Sequence, residues 1–224
     1  MKQSLGSSNR TLATAGRLAL ASLVVWSAIG GAHGQDTAQP GGWTALFDGV
    51  SLKGWRETPF TGHGQVRVKD GMILIGKGQL TGITWTGAFP RSDYEIRFEA
   101  TRLDGSDFFA GLTFPVKDSA CTLISGGWGG SVVGLSSLDG DDASENETST
   151  ARNFDMGRWY AFRLSVTENR IRVWIDAELV IDADIAGRKV GLRPGEIDLS
   201  QPLGFAAYST VGGLRKIEYR RLGE

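Results

Sequence analysis

The sequence predicts an all-β domain, and three observations carry that reading. Apolar and polar residues alternate with period two in many short segments, turn signals punctuate those segments, and glycine is used 32 times against 6 prolines. No stretch beyond the N-terminal region shows the apolar period of an ordinary helix. The clearest strand spans 94–100: Tyr94, Ile96, Phe98 and Ala100 share one face, while Glu95, Arg97 and Glu99 share the other. Similar segments lie at 66–68, 72–75, 108–114, 160–167, 170–175, 178–182, 203–208 and 214–221. Lys69-Asp70-Gly71, Asp104-Gly105-Ser106, Glu168-Asn169 and Asp176-Ala177 supply turns between them. About a dozen strands at this spacing suit a sandwich or barrel. The absence of a fixed internal repeat excludes a propeller or solenoid.

With 224 residues, 41% hydrophobic and 22% charged, the composition is that of one globular domain. The N-terminus reads as an export signal over residues 1–34. Basic Lys2, Arg10 and Arg17 precede the apolar run from Leu18 to Ile29, and small residues around Ala32-His33-Gly34 follow as a cleavage site. That run is shorter than the ~20 residues of a membrane span. Residues 35–42 form a polar tether and 43–222 the domain. The leader holds three of the 24 basic residues and none of the 25 acids, so cleavage leaves 21 against 25, a net charge of −4. This balance excludes a nucleic-acid partner and gives no support for an anionic membrane after cleavage. Cys121 is the single cysteine, so no disulfide forms within the chain and no lipid is attached at the signal junction. Its surroundings, Ala120 to Ile124, read as a buried strand. The expected location is periplasmic or secreted.

Three groups of residues have chemistry to offer. Asp139, Asp141, Asp142, Glu145 and Glu147 place five carboxylates within nine residues. Such oxygens suit a hard divalent cation such as Ca²⁺, with Asp139, Asp141 and Asp142 as ligands, although the spacing is not that of an EF-hand; a solvated surface loop fits the same residues. Trp128 stands between Gly126-Gly127 and Gly129-Gly130, which allow the backbone to bend and present the indole to a sugar ring; a core tryptophan beside a bulge is the alternative. Trp43, Trp55, Trp159 and Trp174 read as core. Glu95 and Glu99 share a strand face at ~13 Å, too wide for the ~5–9.5 Å of glycosidase carboxylate pairs. Arg97 also occupies the central position of the laminarinase-like E-x-D-x-E pattern. Other constellations are missing: His63 is the only histidine beyond the leader, and no motif for an organic cofactor is present.

Leu46-Phe47-Asp48-Gly49-Val50-Ser51-Leu52-Lys53-Gly54-Trp55 resembles the opening L-F-D-G-x-S-L-x-G-W of the 3-keto-disaccharide hydrolase domain family, whose members are also described as 3-keto-glucoside-1,2-lyases and hydratases. Asp93-Tyr94-Glu95-Ile96 through Glu99, Gly157-Arg158-Trp159-Tyr160, Val173-Trp174-Ile175-Asp176 and Leu203-Gly204-Phe205 follow in the order found in that family. The resemblance implies a concanavalin A-like jelly roll of two antiparallel sheets, and action on sugars oxidised at C3. It departs from the common pattern where N-S-G and Y-E-x-Q segments are expected, at Asp107 to Leu112 and Gly126 to Gly130. The candidate catalytic residues are therefore Asp142, Glu145 and Glu147, with Glu99 behind them; Trp128, Arg152 and Asn153 are candidates for substrate contact. Two functions are expected from this: cleavage of 3-keto-glycosides by elimination and hydration or hydrolysis, with a divalent cation, or non-catalytic glycan binding on the same fold.

Overall fold

The computed structural model describes residues 42–223, which form fifteen strands and one 3-10 turn. The expected leader and all but the last residue of the tether lie outside these residues. In chain order the strands are β1 (Thr44–Ala45), β2 (Trp55–Glu57), β3 (Val66–Lys69), β4 (Met72–Ile75), β5 (Thr81–Trp85), β6 (Tyr94–Asp104), β7 (Gly111–Val116) and β8 (Ser119–Gly127). Then come β9 (Val132–Ser136), β10 (Thr150–Ala151), β11 (Trp159–Val166), β12 (Arg170–Ile175), β13 (Glu178–Asp184), β14 (Gly204–Ala207) and β15 (Val211–Arg221).

They build two antiparallel sheets. The first runs β13-β12-β11-β6-β15-β4-β3, with β1 added beside β15; the second runs β10-β9-β8-β7-β14-β5-β2. The chain repeatedly changes sheet, from β5 to β6 and again from β6 to β7, which is the connectivity of a jelly roll. Among the described residues no helix is long and apolar enough to cross a membrane.

The alternation read from the sequence is realised as expected on β6: Tyr94, Ile96, Phe98 and Ala100 are buried at 0–2% exposure between the sheets. Phe98 stacks on Phe162 of β11 at 4.8 Å and meets Phe205 of β14 edge-on at 4.9 Å, so one aromatic cluster joins both sheets. The Tyr94 hydroxyl donates to the Pro115 carbonyl on β7 at 2.7 Å, a second cross-sheet tie that satisfies a buried polar group. Cys121 is fully buried, and that burial pushes its thiol up to about 12.

The tryptophans are a correction. Trp55 belongs to the core, but Trp43, Trp159 and Trp174 stand half-buried with arginines on their ring faces. An apolar residue in a strand pattern reports that it wants cover; a guanidinium plane provides it as well as the core does.

Candidate functional site

The second sheet turns small and hydroxylated residues to its outer face, where the covering loops bury them. Thr122 and Ile124 alternate with buried Cys121 and Leu123 on β8, and Ser136 follows buried Leu135 on β9. Thr113 and Thr122 share a hydrogen bond of 2.9 Å across β7 and β8. Two glycines let loops lie directly on this face. A Cβ on Gly134 would come within 2.5 Å of the Ala143 carbonyl, and one on Gly204 within 2.6 Å of the Ser200 carbonyl. The acidic loop and the segment 193–200 thereby wall a cavity of about 420 Å³, with Thr122, Ile124 and Ser136 among the residues that line it. That volume falls within the ~300–1,000 Å³ typical of small-molecule sites.

The acidic loop is held from inside by Asn146, which is 7% exposed. Its amide nitrogen donates to the carbonyls of Leu135 at 2.7 Å, Asp142 at 2.9 Å and Asp141 at 3.1 Å. Its oxygen accepts from the Thr148 backbone N–H at 3.0 Å and the Thr148 hydroxyl at 2.6 Å. This frame turns Asp142 toward the cavity. The Asp142 carboxylate accepts from the Ser136 hydroxyl and from its neighbour Ala143 N–H at 2.9 Å, and it pairs with Arg193 at 2.7 Å. Its side chain retains 16% exposure, whereas Arg193 retains 62%, so the carboxylate is anchored and the guanidinium reaches outward.

Trp128 stands on the rim, 43% exposed, with the Arg193 guanidinium 5.8 Å from its ring centre. The backbone bends as the glycines suggested: Gly126, Gly129 and Gly130 have φ of +80°, +87° and +112°, and Trp128 itself +49°. For a bulky residue this left-handed conformation is unusual and strained, and here it places the indole at the cavity. Another wall is aromatic as well, with Phe108 stacked on Tyr208 at 5.9 Å. Asp107 lies beside Phe108 and accepts from its N–H at 2.8 Å. Glu196 ties the 193–200 segment to Thr61, accepting from its hydroxyl at 2.5 Å and its N–H at 2.8 Å. The Thr61 side-chain bond, then the backbone bond, hold the Glu196 carboxyl below its ordinary range.

Of the residues singled out from the sequence, Asp142 and Trp128 line this cavity and the others do not. Glu145 is exposed at the loop surface, and Glu147 pairs with Arg188. Asp139 also faces Arg188 at 2.8 Å and accepts from Lys189 N–H at 2.9 Å; that backbone bond, then the Arg188 bond, lower its pKa. Asp141 is exposed. Arg152 pairs with Glu178 at 2.7 Å and Asp176 at 3.6 Å, and Asn153 is exposed next to it. Glu99 lies on the outer face of the first sheet, across the sandwich from Asp142. The proposed ligand set Asp139, Asp141 and Asp142 is not assembled, because two of the three already have cationic partners in different directions. Among the described residues no group of three or more His, Cys, Asp or Glu is arranged to hold a metal ion.

Sequence reading missed Arg193, Ser136, Asp107, Phe108, Tyr208 and Glu196. Arg193 lies in Gly191-Leu192-Arg193-Pro194-Gly195, a stretch with no strand period; the one available signal was the length of that unpatterned segment, since long loops in compact domains tend to be functional.

Residues 42–220 match the family described as the 3-keto-alpha-glucoside-1,2-lyase-like domain. The chain belongs to that family. No curated protein matches the sequence. Among solved structures it is similar in fold to the carbohydrate-binding module CBM66 from Bacillus subtilis (15% identity, TM-score 0.52, covering 75% of this chain and 95% of that one). It is also similar to the Crh5 transglycosylase in complex with NAG (12%, TM-score 0.57, 81% and 84%). A third is SCLam, a non-specific endo-β-1,3(4)-glucanase of family GH16 (12%, TM-score 0.53, 81% and 92%). The fold is thus a jelly-roll sandwich shared with carbohydrate-active and carbohydrate-binding proteins.

Proposed function

We propose that the cavity binds a glycoside oxidised at C3 and cleaves it by β-elimination, with Asp142 and Arg193 as the reacting pair. One observation carries this reading: an anchored carboxylate and an outward guanidinium sit 2.7 Å apart in a sugar-sized cavity rimmed by an exposed indole. A ketone at C3 acidifies the C2–H bond. Asp142 takes that proton, and its electron pair moves onto the C3 oxygen as an enolate, where Arg193 supplies positive charge. Collapse of the enolate breaks the C1–O bond. The leaving oxygen takes a proton from solvent, and water then adds to the resulting enone. Trp128 supplies a stacking face for the pyranose, and the Phe108–Tyr208 wall accommodates the remainder of the glycoside. Asp139 and Glu147 turn to Arg188 and Asp142 to Arg193, so in this reaction a guanidinium, in place of a metal cation, carries the positive charge. Export, expected from the leader, would put this activity in the periplasm or outside the cell.

The engagement of Asp142 by Ser136, Ala143 and Arg193 at once favours a second reading, in which the cavity binds a glycan without chemistry. Incubation with 3-keto-trehalose or a 3-keto-glucoside in D₂O separates the two. Elimination predicts deuterium at C2 and release of the aglycone, both lost by ~10²–10⁴-fold in Asp142→Asn. Saturable sugar binding without exchange or release would establish the binding reading and sink the enzyme.

A further inference from the structure

The outer face of the first sheet carries a second cavity of about 460 Å³, on the opposite side of the sandwich from Asp142. Its floor holds an arrangement that strand pairing ordinarily avoids. Arg97 of β6 and Arg163 of β11 are direct cross-strand partners, two like charges side by side on one face. Each guanidinium is pinned. Arg97 lies 4.1 Å over the Trp43 ring and gives its Nε–H to Glu218 at 2.6 Å; Arg163 lies 3.6 Å over the Trp174 ring and binds Glu95 at 2.8 Å. Only one nitrogen of each is used in those bonds, and the two side chains remain 46% and 38% exposed. Lys216 stands on the same cavity at 64% exposure.

Charge on this face is unbalanced. Arg97, Arg163, Arg215, Lys216 and Arg220 share three carboxylates, those of Glu95, Glu99 and Glu218, leaving a local excess of two positive charges. The residues that line the groove itself, Arg97, Arg163 and Lys216 against Glu99 and Glu218, leave one positive charge in excess, whereas the chain as a whole carries a net charge of −1. Planar, stacked guanidinia with free N–H edges match a carboxylate or sulfate. The rest of the lining points to a ligand that also has hydroxyls. Glu99 and Glu218 offer acceptors that would repel a bare anion, while Ala161 and Ala177 leave small apolar surface for the face of a ring. We propose that this groove is a second binding site, for a sugar chain carrying carboxylate or sulfate groups, with Arg97 and Arg163 as the paired anion receptor.

Affinity electrophoresis of the full chain in gels containing polygalacturonate, dextran sulfate or neutral dextran tests this. Retardation is expected with one or both polyanions, weakening as salt is raised, and none with dextran. Which polyanion works tells carboxylate from sulfate. Arg97→Gln should weaken binding at least ~10-fold, since it removes one charge-assisted contact of about 1.5–3 kcal/mol. Lys216→Gln, which removes an exposed ammonium without touching the core, should weaken it several-fold and keeps the test readable if Arg97→Gln fails to fold. Asp142→Asn should bind the polyanion as the parent does, which distinguishes this site from the cavity on the other sheet. No retardation by either polyanion, equal retardation by dextran, or binding unchanged in both Arg97→Gln and Lys216→Gln would overturn the proposal.

Discussion

Replacing Asn146 with alanine should both unfold the acidic loop and release Asp142. Two amide hydrogens are shared among three carbonyls, and the side-chain oxygen accepts twice from Thr148, so the substitution removes about four hydrogen bonds' worth of pairing. At a net ~1 kcal/mol each, with the partners left buried and unpaired, the loss is about 4 kcal/mol. Urea denaturation of the parent and Asn146→Ala, followed by tryptophan fluorescence, measures it as a lower midpoint at unchanged slope. Asn146→Asp gives a sharper control. It keeps the acceptor for Thr148 but turns an anionic oxygen toward three carbonyls, which raises the folded-state pKa of the new carboxyl. A raised folded pKa costs nothing below the unfolded value and destabilises as pH rises through it, so this variant should regain stability on acidification. A loss below ~1 kcal/mol in Asn146→Ala, or an Asn146→Asp variant indifferent to pH, would refute the assignment of Asn146 as the frame of the loop.

Trp128→Ala should cost no more than about 1 kcal/mol of stability, because the indole stands 43% exposed on the cavity rim and outside the core, yet weaken sugar binding several-fold by titration calorimetry. Glu147→Gln should cost no more than ~1 kcal/mol and leave turnover unchanged, since it removes an exposed ion pair with Arg188 outside the cavity. The Cys121 thiol, raised to about 12 by burial, should ignore a thiol reagent at pH 8 until the chain is unfolded. Glu196 has a depressed folded pKa, so its tie to Thr61 is present above the ordinary glutamate range and is lost as pH falls through the folded value. Hydrogen exchange at the Thr61 amide should therefore depart from its intrinsic pH dependence and show lost protection below that range, and a flat protection factor would contradict the tie.

Much of the fold was legible because a strand reports its own two faces. Alternation along 94–100 sufficed to assign Ile96 and Phe98 to the core and Glu95, Arg97 and Glu99 to an outer face, and the turn signals gave most of the breaks. Short strands such as β2, β5, β9 and β10 escaped because their outward positions are small residues or because only two or three residues pair. The site was legible in part. Glycines around Trp128 announced a bent backbone, and the density of carboxylates marked the loop that bears Asp142. Density alone could not say which carboxylate faces the cavity, since Asp139 and Glu147 turn to Arg188 while Asp142 turns inward on the frame of Asn146.

By itself, then, the sequence determined the all-β class, the family and the loop most worth attention, since these rest on local period and local motifs. Only the tertiary structure decided that Asp142 meets Arg193, some fifty residues further along the chain, and that Glu99 faces away from both. Period two tells which side of its own strand a residue takes. It does not tell which strands become neighbours, which sheet a strand joins, or which loop folds over it; those are settled when two sheets close on one core and each outer face acquires its own covering.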